Sequence, residues 1–185
     1  MKFGTPAEPS HEGSSFDKKK KRRRREKKPL PERMDAFERI IQLCSVRDRS
    51  VKELEDRLAK DGYASESIAE SIGRACGCGL VDDKRFMDAF IRGRLSLGKG
   101  VSGIERDLLK HGIELESIEG WQESYAINDE SEFERALDYL RGHPTRAKDR
   151  WSSAYRKLAS RGFSLNIAKK ATQAWLEECE QSEAF

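Results

Sequence analysis

Few residues in this chain are of a type that does chemistry, and their spacing argues against it. Four cysteines occur, Cys44, Cys76, Cys78 and Cys179. Cys76 and Cys78 are two apart, which suits neither a zinc site nor a redox dithiol. All four read as reduced thiols, with Cys44 in a core. His11, His111 and His143 are scattered, so a histidine-rich metal site is not expected. Asp82 and Asp83 are adjacent carboxylates, but no His or Lys is positioned to make them an acid–base pair. Their pattern fits the start of a helix. Gly98-Lys99-Gly100 superficially resembles a phosphate loop. It lacks the spacing and the Lys-Ser/Thr ending of a Walker A motif, and no strand precedes it. No nucleophile elbow, HExxH or GxGxxG occurs. The chain therefore reads as a non-enzymatic protein without metal or cofactor.

What remains is charge. The formal net charge of +3 is unevenly spread. Residues 1–31 hold 11 Lys/Arg and 4 Asp/Glu, while the other 154 residues hold 25 Lys/Arg and 29 Asp/Glu. The basic excess lies in Lys18, Lys19, Lys20, Lys21, Arg22, Arg23, Arg24 and Arg25. The surrounding segment contains four of the five prolines and nothing apolar to bury, so 1–31 reads as a disordered basic tail. It would either attract a polyanion or serve as a solubilising extension. Further along, residues 114–138 hold nine Asp/Glu and one Arg, and residues 141–170 hold nine Lys/Arg and one Asp. On a helix, Arg146, Arg150, Lys157 and Arg161 would share an arc of about 60° beside an apolar face. Such a stripe would touch DNA or an acidic protein, or pair with the acidic segment of its own chain.

The elements that must position these residues are helical. Charged residues make up 37% and hydrophobic residues 36% of the 185-residue chain, a mixture suited to thin helical layers with wet faces. No run of 18 apolar residues predicts a membrane span, and no apolar stretch near the N-terminus predicts a secretory signal. A cytoplasmic monomer is expected. Gly62, Gly112 and Gly162 are fifty residues apart, each preceded at four residues by Leu58, Leu108 or Leu158. Val51, Val101 and Trp151 repeat in the same register. Phe37-x-x-Ile40-Ile41, Phe86-x-x-Ala89-Phe90 and Phe133-x-x-Ala136-Leu137 repeat upstream.

These spacings predict an all-α fold of three tandem three-helix repeats, over 32–81, 82–128 and 129–178, with a frayed end at 179–185. The stacked repeats are expected to form an elongated, curved array. Ser50 and Glu53 predict a capping box for the middle helix of the first repeat. Ser65 starts its third helix. Pro144 or Thr145 is expected to start the middle helix of the third repeat. Ser164 caps the last helix, which turns Ile167, Ala171 and Trp175 inward. No period-two segment predicts a strand.

The stretch GLVDDKRFMDAFIRGRLSLGKGVSGIERDLLKHGI, Gly79 to Ile113, resembles the signature of the RecX family. Its Gly-Leu-Val-Asp-Asp opening, aromatic first helix, Gly-rich turn and Leu-rich helix ending in Gly carry the likeness. Arg47-Asp48-Arg49-Ser50, followed by Glu53-Leu54 and Leu58, resembles a further family element. The likeness covers roughly 36–178 and is weaker in the third repeat, where Trp151, Tyr155 and Gly162 carry it. Met87 departs from the small residue more often found there. The resemblance implies a regulator that binds the RecA–single-stranded-DNA filament and suppresses ATP hydrolysis, strand exchange and coprotease function. Direct contact with single- or double-stranded DNA is left open. Candidate contact residues are Arg146, Arg150, Lys157 and Arg161, with Arg47, Arg49, Arg92, Arg94 and Lys99 of the motifs. The alternative is a basic nucleic-acid-binding protein that acts without RecA.

Overall fold

The computed structural model describes residues 34–183, together with Met1. The basic run Lys18–Arg25 and the expected disorder around it lie outside the described residues. Among the described residues there is no strand, and nine α-helices and one 3-10 turn follow one another in three units.

Unit one contains α1 (Ala36–Cys44), α2 (Val51–Asp61) and α3 (Ser65–Gly77). Asp35 caps α1 by accepting from the Glu38 amide at 2.6 Å, and Glu38 returns the contact. Ser50 caps α2 by accepting from the Glu53 amide at 3.2 Å, but the expected capping box is not completed, because the Glu53 side chain pairs with Arg47 and Arg49 instead. Gly62 ends α2 at φ +100°, a conformation that costs a residue with a Cβ more than it costs glycine. Ile40, Leu54, Leu58, Ile72 and Ala75 fill the core between the three helices.

Unit two opens with α4 (Asp83–Ser96) and α5 (Val101–Leu109). Its third element is broken into a 3-10 turn at Leu115–Ser117 and a short α6 at Trp121–Ser124. Gly120 at φ +69° and Ala126 at φ +52° bound α6, and Trp121 closes the core over Ile91, Ile104 and Leu108. Unit three contains α7 (Asp129–Gly142), α8 (Arg150–Ser160) and α9 (Leu165–Glu183). Ser164 accepts from the Ile167 amide at 3.2 Å, as expected, and Ile167, Ala171 and Trp175 are buried.

Two further expectations are corrected here. The middle helix of unit three does not start at Pro144 or Thr145. Residues 143–149 form a loop, and Asp149 caps α8 by accepting from the Ser152 amide at 2.9 Å. A carboxylate cap on the first turn outweighs the weaker start signal of an exposed proline. The segment expected to fray from 179 is helical as far as Glu183, with Cys179 half-buried against the unit-three core.

The junctions between units share one device. The amide of Val51, first residue of α2, donates to Asp83 Oδ1 of α4 at 2.8 Å. The amide of Val101, first residue of α5, donates to Glu132 Oε1 of α7 at 2.8 Å. Asp82 alone caps α4, accepting from the Lys84 and Arg85 amides at 2.9 and 3.1 Å. Asp83 therefore serves the preceding unit. These contacts also shift the register between units two and three. Asp83 corresponds to Glu132, forty-nine residues on, so Phe86 corresponds to Arg135 and not to Phe133.

The second junction is also a backbone contact. Gly100 and Gly103 amides donate to the Arg161 and Gly162 carbonyls, each at 3.2 Å. A Cβ on Gly103 would stand 2.5 Å from the Arg161 carbonyl oxygen. Gly103→Ala should therefore force the two units apart and cost about 1–3 kcal/mol. Gly73→Ala, inside α3 with nothing within 4 Å, should instead raise stability slightly. Thermal melts of the two variants against the parent should move in opposite directions.

Candidate partner-binding surface

The junctions place side chains of neighbouring units around two recesses. The first, of about 480 Å³, is lined by Arg47 and Asp48 of unit one and by Phe86, Ala89, Phe90, Arg94 and His111 of unit two. The second, of about 440 Å³, is lined by Leu95–Gly98 of unit two and by Arg135, Asp138, Tyr139, His143 and Arg161 of unit three. They correspond position by position. Residues 47, 48 and 111 become 97, 98 and 161, fifty on, while 86, 89, 90 and 94 become 135, 138, 139 and 143, forty-nine on.

Each recess is organised by an aromatic ring of the unit's first helix, held between two nitrogen-bearing side chains. Phe90 lies 5.4 Å from the His111 ring, and the Arg94 guanidinium stands 4.6 Å from its centroid. Tyr139 stacks on His143 at 4.4 Å and lies under the Arg161 guanidinium at 4.0 Å. Such cation–ring contacts hold a guanidinium flat and leave its edge to bind acceptors. Arg161 spends that edge inside the protein. Its Nε donates to the Gly98 carbonyl at 3.1 Å and its Nη2 to the Leu97 carbonyl at 2.6 Å. Arg135 spends only Nη1, donating to Ser131 Oγ at 3.3 Å. Arg94 Nε, and Arg135 Nε and Nη2, are buried without a hydrogen-bond partner among the described residues. Burial pushes the Arg135 guanidinium pKa down from its ordinary value, against the opposing charge of Glu132. Each recess thus holds an arginine guanidinium against an aromatic ring, Arg94 over Phe90 and Arg161 over Tyr139.

The residues singled out in the sequence do not all gather here. Arg47, Arg94 and Arg161 line the recesses. Arg49 is structural: it pairs with Glu53 and its Nε donates to the Leu43 carbonyl at 3.1 Å. Arg92 pairs with Asp88 at 3.1 Å beside Tyr125. Lys99 pairs with Asp107. The expected stripe is broken up. Arg146 lies in the loop before α8, Arg150 is the first residue of that helix, and Lys157 donates to the His143 carbonyl at 2.6 Å. The acidic segment 114–138 does not pair with Arg161, which serves the unit-two turn. Phe90, His111, Arg135, Tyr139 and His143 were not expected in a site. Their signal was the pairing of positions forty-nine and fifty apart, visible once the junction register is known.

A family model described as RecX, first three-helix domain, matches residues 36–74. The Regulatory protein RecX of Chromohalobacter salexigens is 34% identical over 136 residues, spanning 73% of this chain and 90% of that protein. The chain belongs to the RecX family. The Regulatory protein RecX of Xanthomonas campestris pv. campestris strain B100 is 30% identical over 161 residues, spanning 81% of this chain and 97% of the relative. The crystal structure of RecX from Lactobacillus salivarius shares the fold, with a TM-score of 0.59 and 22% identity, covering 76% of this chain and 94% of that one. The all-helical tandem-repeat reading of the sequence and its likeness to the RecX family both hold.

The Lys99–Asp107 pair gives this RecX-family fold a pH signature. Burial pushes the Asp107 carboxyl up, but hydrogen bonds and charge from Lys99 and Lys110 outweigh it and hold the pKa at about 2. The folded value lies below the ordinary 3.8, so the pair stabilises the fold above about pH 4. That contribution should fade as pH falls towards 2. Asp107→Asn should lower the melting temperature at pH 7 and have a much smaller effect near pH 2. Melts across that range check this.

Proposed function

We propose that this protein binds the RecA–single-stranded-DNA filament and restrains ATP hydrolysis, strand exchange and coprotease function. It acts as a non-enzymatic cytoplasmic monomer, its units spanning 32–81, 82–128 and 129–178. The observation that carries this reading is the pair of equivalent recesses, one unit apart, each holding a guanidinium over an aromatic ring. A surface that repeats itself suits a partner that repeats itself, and a filament of identical protomers is such a partner. Two modest contacts on one body add as avidity, because the first holds the second at high effective concentration. A body that engages two protomers in one relative arrangement binds that filament state better than any other. It shifts the population towards that state and so opposes the changes of ATP turnover. The names of the relatives, regulatory proteins, agree with a binding role.

The test is RecA ATPase on single-stranded DNA with substoichiometric protein. The intact chain should suppress the rate. Arg47 and His143 are exposed, one in each recess, so Arg47→Ala and His143→Ala should leave the helical content unchanged. Each should weaken inhibition several-fold, and the double variant should weaken it by more than either. Undiminished inhibition by the double variant would rule out the recesses as the contact.

A further inference from the structure

Among the described residues no fourth unit follows unit three, and the face where one would dock carries an exposed aromatic side chain. Val51 and Val101 open the middle helices of units one and two, and the next unit's first helix closes over each through Asp83 or Glu132. Trp151 holds the same place in unit three, with no unit beyond it among the described residues. It is 37% exposed, whereas Trp121 and Trp175 are 7% and 4% exposed. Its ring is stacked on Tyr155, one turn on, at 5.1 Å and 11° between planes. A unit face without a neighbouring unit is normally polar. Here it carries a flat aromatic pair.

The chain on either side of that pair carries exposed cations. Arg146 and Lys148 are exposed on the loop leading into α8, and Arg156 is exposed on the helix beside Tyr155, its Nε donating to the Ser152 carbonyl at 3.0 Å. The acid among them, Asp149, is turned into the helix as its cap. Unit one has Arg47 and Asp48 where unit three has Ala147 and Lys148, so the positive balance belongs to unit three.

We infer that this face of unit three is a stacking platform for single-stranded nucleic acid, with an unpaired base against Trp151 and the flanking phosphates on Arg146, Lys148 and Arg156. A base has a π-face whatever its sequence, and a stacked indole offers a wide, rigid partner to it. Duplex DNA keeps its bases inside and offers phosphates only. The platform is separate from the two recesses, and it goes beyond the proposed action on the filament.

The experiment uses the full chain without RecA, so its failure is distinct from failure of the filament reading. The protein is titrated with oligothymidylate and tryptophan emission is followed. Quenching is expected, since Trp151 is the exposed one of the three tryptophans. Inorganic polyphosphate, which has no bases, should bind the basic run at Lys18–Arg25 and leave emission unchanged. Trp151→Ala and Tyr155→Ala, read by polarisation of a labelled oligothymidylate, should each weaken binding about tenfold. Lys148→Glu with Arg156→Glu should reduce the slope of log affinity against log salt by roughly 1.4, two phosphates' worth. The inference is overturned if oligothymidylate binds with unchanged emission, or if Trp151→Ala, the exposed member, binds as well as the parent. It is also overturned if the emission change follows protein concentration alone with a doubling of mass. That result would give the face to a second copy of the chain.

Discussion

The first backbone amide of a helix has no partner inside its own helix, and where two helical units meet it is also shut away from water. An unsatisfied amide there would cost about 1–3 kcal/mol, enough to let neighbouring units part. In this chain the missing acceptor comes from the following unit. Asp83 reaches back to Val51, and Glu132 reaches back to Val101. The carboxylate meets the positive end of the helix it caps, so its charge is favourable where it is buried. Glu132 is only 7% exposed, which would be costly for an acid without such a partner. The link sets the distance and the direction in which each unit meets the next. At the second junction Gly100, Gly103 and Gly162 then allow the backbones themselves to touch.

From that constraint the recesses follow. Because both junctions are joined at the same point, the first helix of each later unit presents the same stretch to the unit before it. Phe90 and Tyr139 occupy one position, and His111 and Arg161 occupy another. The chemistry varies within the plan. In the second recess Arg161 is committed to the Leu97 and Gly98 carbonyls, and Arg135 Nε and Nη2 are buried without a partner among the described residues. In the first, so is Arg94 Nε.

The glycines and leucines fifty apart made the three units legible, because a left-handed residue after an amphipathic helix is demanded by local geometry. Ser50, Asp82 and Ser164 were legible as caps for the same reason. What the sequence hid was tertiary. Asp83 looks like a second cap for its own helix, and only the folded chain shows it serving Val51. The aromatic pattern Phe86 and Phe133 suggested a register that the carboxylates overrule, since the junction bond fixes α7 two residues away from it. Basic residues at helical spacing looked like one stripe. The loop at 143–149 takes Arg146 off the helix, and carbonyl acceptors draw in Lys157 and Arg161. The third helix of unit two was obscured by Gly120, whose left-handed backbone starts α6 afresh.

If the carboxylate links hold the units together, they must protect the amides they cap. Hydrogen exchange of the Val51 and Val101 amides in the full chain reads this directly, since a first-turn amide without an acceptor exchanges quickly. Both should be protected in the parent protein. Asp83→Ala should speed exchange at Val51 and leave Val101 slow, and Glu132→Ala should do the reverse. Exchange at both amides that is fast in the parent, or that is untouched by either substitution, would contradict the account.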